Sequence, residues 1–402
     1  FSLASRSTHH GGSRKFRNIH ARYVLHFLTA DKRFGFAEML NMKHKNSRYS
    51  SRGLVMLSVE VLEKLCNACG VAGREEEVRS LMHKLLKPYV DEVKEDRLGN
   101  VIGIKEGVKN APKVMLAGHM DEIGLLVKTI SKEGYLQFAK MGGIDDRVLL
   151  AQKVMVYTEK GPLHGIIGSK PPHIQKEEER KKVIPYDELF IDIGAGSQEE
   201  ARKMGVRIGD SVEFDVRFAA MNKDIVIGKA LDDRVGCAAM IEALKRLQKT
   251  ECTVYAVGTV QEEVGCRGAT TSAFGIYPDV GLALDVTVAG DIPGVKEVEA
   301  PTKLKKGPSL LIADAMHISH PKVLRLLTET AEENKIPYQL ETGLAGGTDA
   351  GRISLAREGV PSCSICIPTR YIHSPTSLLS LTDVENTVKL TVAAIKKIPK
   401  YF

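Results

Sequence analysis

The 402-residue chain contains no tryptophan, and only 5% of it is aromatic. It lacks any uninterrupted apolar run near the roughly 18 residues that a membrane-spanning helix needs. A soluble body with no membrane partner is therefore expected. Its seven cysteines are an odd number spread over a long chain, which does not resemble a secreted disulfide framework. Two pairs have three-residue spacing. Cys66 and Cys69 fall in an amphipathic helical pattern, and Cys363 and Cys366 fall in the strand-like run SCSICIP, where that spacing sends the thiols to opposite faces. Buried thiols in a reducing compartment are expected, not a zinc or redox site. Several motifs are also missing: GxxxxGK(S/T), GxGxxG after a strand, GxSxG and HExxH.

Acidic residues are scarce at one end. Residues 1–55 hold eleven Lys or Arg but only Asp31 and Glu38, a local charge of 11 − 2 = +9. The whole chain carries 57 basic and 50 acidic residues, so residues 56–402 carry 46 − 48 = −2. The basic character belongs to an appendage, and no nucleic-acid partner is expected for the body. The appendage is rich in Ser, Arg and His. An organellar transit peptide is one reading of it, and an extension ahead of a natural start at Met56 is the other.

What is present reads as a mixed α/β enzyme. Hydrophobic content of 43%, charged content of 27% and 36 glycines suit a loop-rich globular chain of two or three domains of about 150 residues. Helical spacing runs through Val59, Leu62, Leu65 and Cys66, and again over 75–86. Strands are expected near 100–104 and 114–117. Residues 124–220 change to short β-like runs with one helix near 198–204. Within them, PPHIQKEEERKKVIP reads as an exposed, mobile loop. After residue 222, strands alternate with helices over 234–248, 321–335, 352–357 and 382–397. That alternation specifies an α/β fold, a mostly parallel sheet with helices on both faces. The expected organisation is a catalytic α/β domain from 56–123 and 221–402, with a barrel-like β domain, 124–220, inserted in it.

Candidate chemistry collects at strand ends. His119 and Asp121 follow VMLA, and their two-residue spacing puts both side chains on one face. Asp232 and Asp233 precede a helix, Glu262 and Glu263 follow VYAVGTV, Asp285 ends VGLALD, and His373 follows SCSICIP. Each has an ordinary explanation alone, such as a helix cap or a solvated turn. Together they stand where α/β sheets place their sites, and imidazoles with carboxylates are the ligand types of a two-metal hydrolase. The glycine-rich AGGTDAGR, 345–352, is expected to cap the next helix through Thr348 or Asp349.

The stretches AGHMDEIGLLV, GKALDDRVGCAAMIEAL, VQEEVGCRGA, ALDVTVAGDIPG, GGTDAGRIS and PTRYIHSP, in this order, resemble metallopeptidase family 42, the tetrahedral and glutamyl aminopeptidases. The resemblance runs from Met56 to the end. It implies a zinc-peptidase-like fold and a dinuclear metal-dependent aminopeptidase acting on peptides with a free N-terminus. It implies two divalent ions per subunit, Zn²⁺ or Co²⁺ with Mn²⁺ as the other option. His119 and Asp285 would hold one ion, Glu263 and His373 the other, and Asp232 would bridge. Glu262 would be the general base and Asp121 the group orienting His119, with a cis bond joining Asp232 to Asp233. A homo-dodecamer built from dimers through the β domain is also implied, as is a place for loop 345–352 in the lining of the site. The near-neutral charge of residues 56–402 fits a cytoplasmic enzyme. Cys266 departs from the pattern, since a larger aliphatic residue is frequent there. Rival readings are a two-metal N-acyl deacylase or carboxypeptidase, which acts without a free α-amine, and a cellulase-like glycosidase, which needs no metal.

Overall fold

The protein is described by a computed structural model covering residues 58–343 and 345–402. The basic segment 1–55, with its targeting expectation, lies outside the described residues. A large sheet runs in the order Glu92–Glu95, Val101–Lys105, Thr253–Thr259, Lys113–His119, Val280–Val288, Ser362–Arg370, Ser377–Ser380, Ile225–Gly228, Ala219–Ala220. Two further strands, Ser309–Ala313 and Gln339–Thr342, branch from Ser362–Arg370.

Parallel pairing is concentrated in the centre. Thr253–Thr259, Lys113–His119, Val280–Val288 and Ser362–Arg370 pair side by side in one direction. The remaining strands of that order join antiparallel, while in the branch Ser309–Ala313 joins Ser362–Arg370 antiparallel and pairs parallel with Gln339–Thr342. The parallel quartet is buried on both faces, which is why its sequences read as near-continuous apolar runs. Val114 and Leu116 of one strand face one core, and Met115 and Ala117 face the other.

Helices cover both faces. On one side Val59–Asn67, Glu76–Leu86, Leu231–Arg246, Pro321–Glu333 and Leu381–Lys397 pack into the main core. Leu231–Arg246 is buried around nearly its whole circumference, as a helix sandwiched between a sheet and other helices must be. On the other side lie Arg267–Ile276 and the short Asp349–Ser354. The periodic reading overlooks Arg267–Ile276, because RGATTSAFGI has few large apolar residues. Its contact depends instead on smallness: a Cβ on Gly268 would come within 2.5 Å of the Val260 backbone.

The chain leaves the sheet at His119 and enters a closed barrel in the order Gly124–Ile130, Leu136–Met141, Phe190–Asp192, Gly161–Gly168, Lys153–Thr158, Ser211–Phe214. Its interior holds Leu125, Leu136, Val154, Ile167, Ile191 and Val212. The charged stretch expected as a loop is exposed over most of its length, but it also forms the short helical turns Pro172–Ile174 and Glu177–Arg180. All seven cysteines are free and buried, and burial pushes the Cys66 and Cys363 thiols up to about 12.

Where sheet and barrel meet, charge is buried in pairs. Lys229 Nζ contacts both oxygens of Glu122 at 2.8 and 2.9 Å, and Glu213 of the barrel at 3.2 Å. Arg234, fully buried, reaches Glu122 at 3.2 Å and donates to the Leu65 and Ala68 carbonyls. Tyr157 donates to Glu213 at 2.6 Å. Removing one member of such a network strands an uncompensated charge. Lys229→Met is therefore expected to lower unfolding free energy by about 3–5 kcal/mol in denaturant titration; a loss below about 1 kcal/mol would show that the network does not join the two parts.

Candidate metal centre

The carboxyl edge of the parallel quartet brings the candidate residues together. His119 is the last residue of Lys113–His119. Glu262 and Glu263 sit in the loop between strand Thr253–Thr259 and helix Arg267–Ile276, beyond the strand rather than on its two faces. Asp285 lies inside strand Val280–Val288, not at its end. Asp232 and Asp233 open helix Leu231–Arg246 with non-helical backbone and are joined by a cis peptide bond. His373 follows strand Ser362–Arg370.

The loops carrying these residues hold non-glycine residues in the left-handed region. Gln261 (φ 56°) and Cys266 (φ 53°) bracket the two glutamates, Ala230 (φ 53°) precedes Asp232, and Tyr371 (φ 62°) and His373 (φ 56°) end the last strand. Such residues persist only where surrounding contacts over-determine them, and they cluster at functional sites. Here the amides of Gly265 and Cys266 both bond the Glu262 carbonyl, at 2.8 Å each.

His119 Nε2 lies 3.0 Å from Asp232, 3.9 Å from Glu262 and 4.0 Å from Asp285. His373 Nε2 is 3.7 Å from both Asp232 and Glu263, while its Nδ1 pairs with the Gly143 carbonyl at 2.9 Å. His373 is also 44% exposed where His119 is 2%, so it marks the open side of the cluster. Asp232 thus stands between the two imidazoles. Around His119, the donor groups small enough for one ion each are His119–Asp232–Glu263 and His119–Asp233–Asp285.

Asp121 does more than face His119. Its carboxylate is 3.6 Å from His119 Nδ1, which sits 3.1 Å from the Asp121 carbonyl. The same carboxylate accepts the backbone N–H groups of Glu262 at 2.9 Å and Glu263 at 3.1 Å. One buried acid therefore ties the end of one strand to the loop after its neighbour. Asp233 plays a similar part, accepting from the amides of His119 at 3.1 Å and Gly236 at 2.9 Å.

Electrostatically the cluster is short of positive charge. Burial foremost, with the neighbouring acids, pushes Asp233, Asp285 and Glu263 well above the usual carboxylate range. Burial likewise takes Glu262 up to about 8 and Asp349 up to about 6. Asp232 goes the other way: burial would raise it, but the hydrogen bond and charge of His119 bring it down. Burial disfavours a charged His119, yet its bonds to Asp121 and Asp232 outweigh that and hold its pKa well above the ordinary value. Among the described residues, the ion pairs of Asp232, Glu263 and Asp285 are with histidine, not with Lys or Arg. Imidazole and carboxylate donors around such a charge deficit fit divalent cations.

The glycine-rich loop contributes Asp349, which spacing marked only as a helix cap. Asp349 accepts from the Thr259 hydroxyl at 2.5 Å and groups with Glu262 and Cys266. Thr348 does not cap with its side chain; its hydroxyl pairs with Ser364 at 2.7 Å.

A parallel-centred sheet with this donor set at its carboxyl edge is the arrangement of a metal-dependent hydrolase. The M42 glutamyl aminopeptidase family matches residues 99–390, and the chain belongs to that family. Membership implies the use of divalent metal, and the donor groups above fit it. A lysyl aminopeptidase of Pyrococcus furiosus is 41% identical over 346 residues, 85% of this chain and 98% of that protein. The structure of an aminopeptidase from the archaeon Desulfurococcus kamchatkensis superposes with a TM-score of 0.82 at 45% identity, covering 85% of this chain and 96% of that one. The TET1 peptidase of Pyrococcus horikoshii, which can assemble into a tetrahedron or a large octahedral shell, superposes at 0.76 with 38% identity, covering 83% and 98%.

Groups that orient ligands typically change metal affinity about 10–100-fold when altered. Asp121→Asn, which removes one of the two acceptors anchoring the glutamate loop, is expected to weaken metal binding by that margin in equilibrium dialysis. Unchanged affinity would reduce Asp121 to a packing role.

Proposed function

We propose that the chain is a dinuclear metal-dependent aminopeptidase that removes N-terminal amino acids from peptides. The observation carrying this reading is the placement of Asp232 between His119 and His373, with Glu263 and Asp285 flanking them. His119 and Asp285 would hold one cation, Glu263 and His373 the other, and Asp232 both. Bound there, divalent cations would lower the pKa of water toward neutrality and polarise the scissile carbonyl. Zn²⁺ or Co²⁺ suits one imidazole with carboxylates, and Mn²⁺ is the third choice.

The chain's own residues supply the rest. Glu262, 3.9 Å from His119 and anchored through its amide by Asp121, takes the proton of the attacking water and returns it to the leaving amine. Asp121 also fixes the ring of His119, the common arrangement behind a ligating imidazole. The buried walls exclude bulk water, and access is from the side of the half-exposed His373.

The same reading extends to organisation. The catalytic domain would comprise 56–123 and 221–402, with 124–220 inserted as a dimerisation domain from which a dodecamer is built. Support comes from the closed barrel and from the assembly of the related TET1 peptidase. Among the described residues no helix is long and apolar enough to cross a membrane. The near-neutral charge of residues 56–402 supports a cytoplasmic enzyme, with residues 1–55 as an organellar address in the alternative.

A panel of free-amine and N-blocked aminoacyl anilides, run after chelation and again after metal add-back, tests the reaction. Cleavage should require a free amine, stop on chelation and return with metal; hydrolysis of blocked substrates, or indifference to chelator, would reject it. Glu262→Gln should keep metal and fold yet lose about 10²–10⁴ in kcat, the usual cost of a missing general base. A variant keeping more than about a tenth of wild-type kcat removes Glu262 from that role.

A further inference from the structure

Beside the two donor groups assigned above stands a third, of different chemistry. Cys266 Sγ lies 3.0 Å from Glu262 Oε1, and Glu262, Cys266 and Asp349 each offer a donor atom within 4.8 Å of the others. Cys266 and Asp349 are both 2% exposed. Asp349 gives one oxygen to the Thr259 hydroxyl, while its Oδ1 is buried with no partner. An orphaned buried carboxylate oxygen costs free energy unless something fills the place, and here it belongs to a carboxyl group that clusters with a thiol and a second carboxylate. Metal–sulfur bonds of about 2.3 Å and metal–oxygen bonds of about 2.0–2.2 Å put tetrahedral donors roughly 3.6 Å apart, within the spread of these three. The thiol also sets the selectivity. Sulfur favours soft, thiophilic cations over the hard ones that carboxylates alone would take.

We propose that Cys266, Asp349 and Glu262 form a third cation site, specific for a thiophilic divalent ion, whose occupation switches the enzyme off. When the ion binds, the S–H bond of Cys266 breaks, its proton leaves to solvent, and a sulfur–metal bond forms. No electron is transferred. Glu262, now a ligand, can no longer accept the proton of the attacking water. This consequence rests on the reading of Glu262 as general base; the site itself does not. The switch belongs to this chain because Cys266 occupies a position where an aliphatic side chain would leave only two carboxylates.

The test uses Cd²⁺ alone as probe, added to enzyme already saturated with its activating metal. Wild type should develop an ultraviolet thiolate-to-cadmium charge-transfer band of one ion per chain, with activity falling in step. Cys266→Ala should show no band and need roughly 10-fold or more Cd²⁺ for the same inhibition. The near-isosteric Cys266→Ser guards against a folding defect and should also lose the band. A band retained in both variants, or no band in wild type, overturns the site. A band that forms while peptide hydrolysis continues unchanged overturns the switch. Inactivity of untreated enzyme under every activating metal would instead sink the aminopeptidase reading, and the band would still report the site.

Discussion

An excess of buried negative charge governs this molecule. Asp121, Asp232, Asp233, Glu263, Asp285 and Asp349 converge at one edge of a sheet, with imidazole as the basic group among them. A folded chain cannot hold so many ionised carboxylates out of water without a compensating charge. The raised pKa values of Asp233, Asp285 and Glu263 are the mark of that deficit. Divalent cations answer it, and the surrounding architecture follows from keeping them in place.

The protein's own cations are directed elsewhere. Lys229 and Arg234 flank Asp232 and Asp233 in sequence, yet both turn away to Glu122 and the carbonyls at the end of helix Val59–Asn67. Consecutive residues thus serve opposite ends of one electrostatic arrangement. The acids face the metal pocket, and the bases neutralise Glu122 and Glu213 at the junction with the barrel. Were either base to reach the pocket, it would compete with metal for the carboxylates. Backbone amides anchored on Asp121 and Asp233 then hold the strained loops without adding charge.

Periodicity and spacing carried much of this. The apolar quartet strands, the amphipathic helices Glu76–Leu86 and Pro321–Glu333 and the β-rich insert are visible because burial on one or both faces imposes a pattern. The meeting of His119, Asp232, Glu263, Asp285 and His373 is also readable, since each falls at an apolar run's end or a helix start in the sequence, although Asp285 lies within its strand. Three features were not. Helix Arg267–Ile276 is held by small residues at close approach, which leave no apolar period. The antiparallel flanks depend on long-range pairing, as between Ile225–Gly228 and Ser377–Ser380, that local pattern does not encode. The anchoring of two glutamate amides by Asp121 is a tertiary hydrogen-bond arrangement, visible only once two strands lie side by side.

The central claim is that cations complete the buried acid cluster. Metal content per chain, measured by elemental analysis on wild type and on Asp232→Asn after dialysis against trace divalent metal, tests it most directly. About two ions per chain in wild type, with both weakened by the single substitution, is the expected result for a shared bridging carboxylate. Metal-free wild type, or an occupancy that Asp232→Asn leaves unchanged, would contradict it.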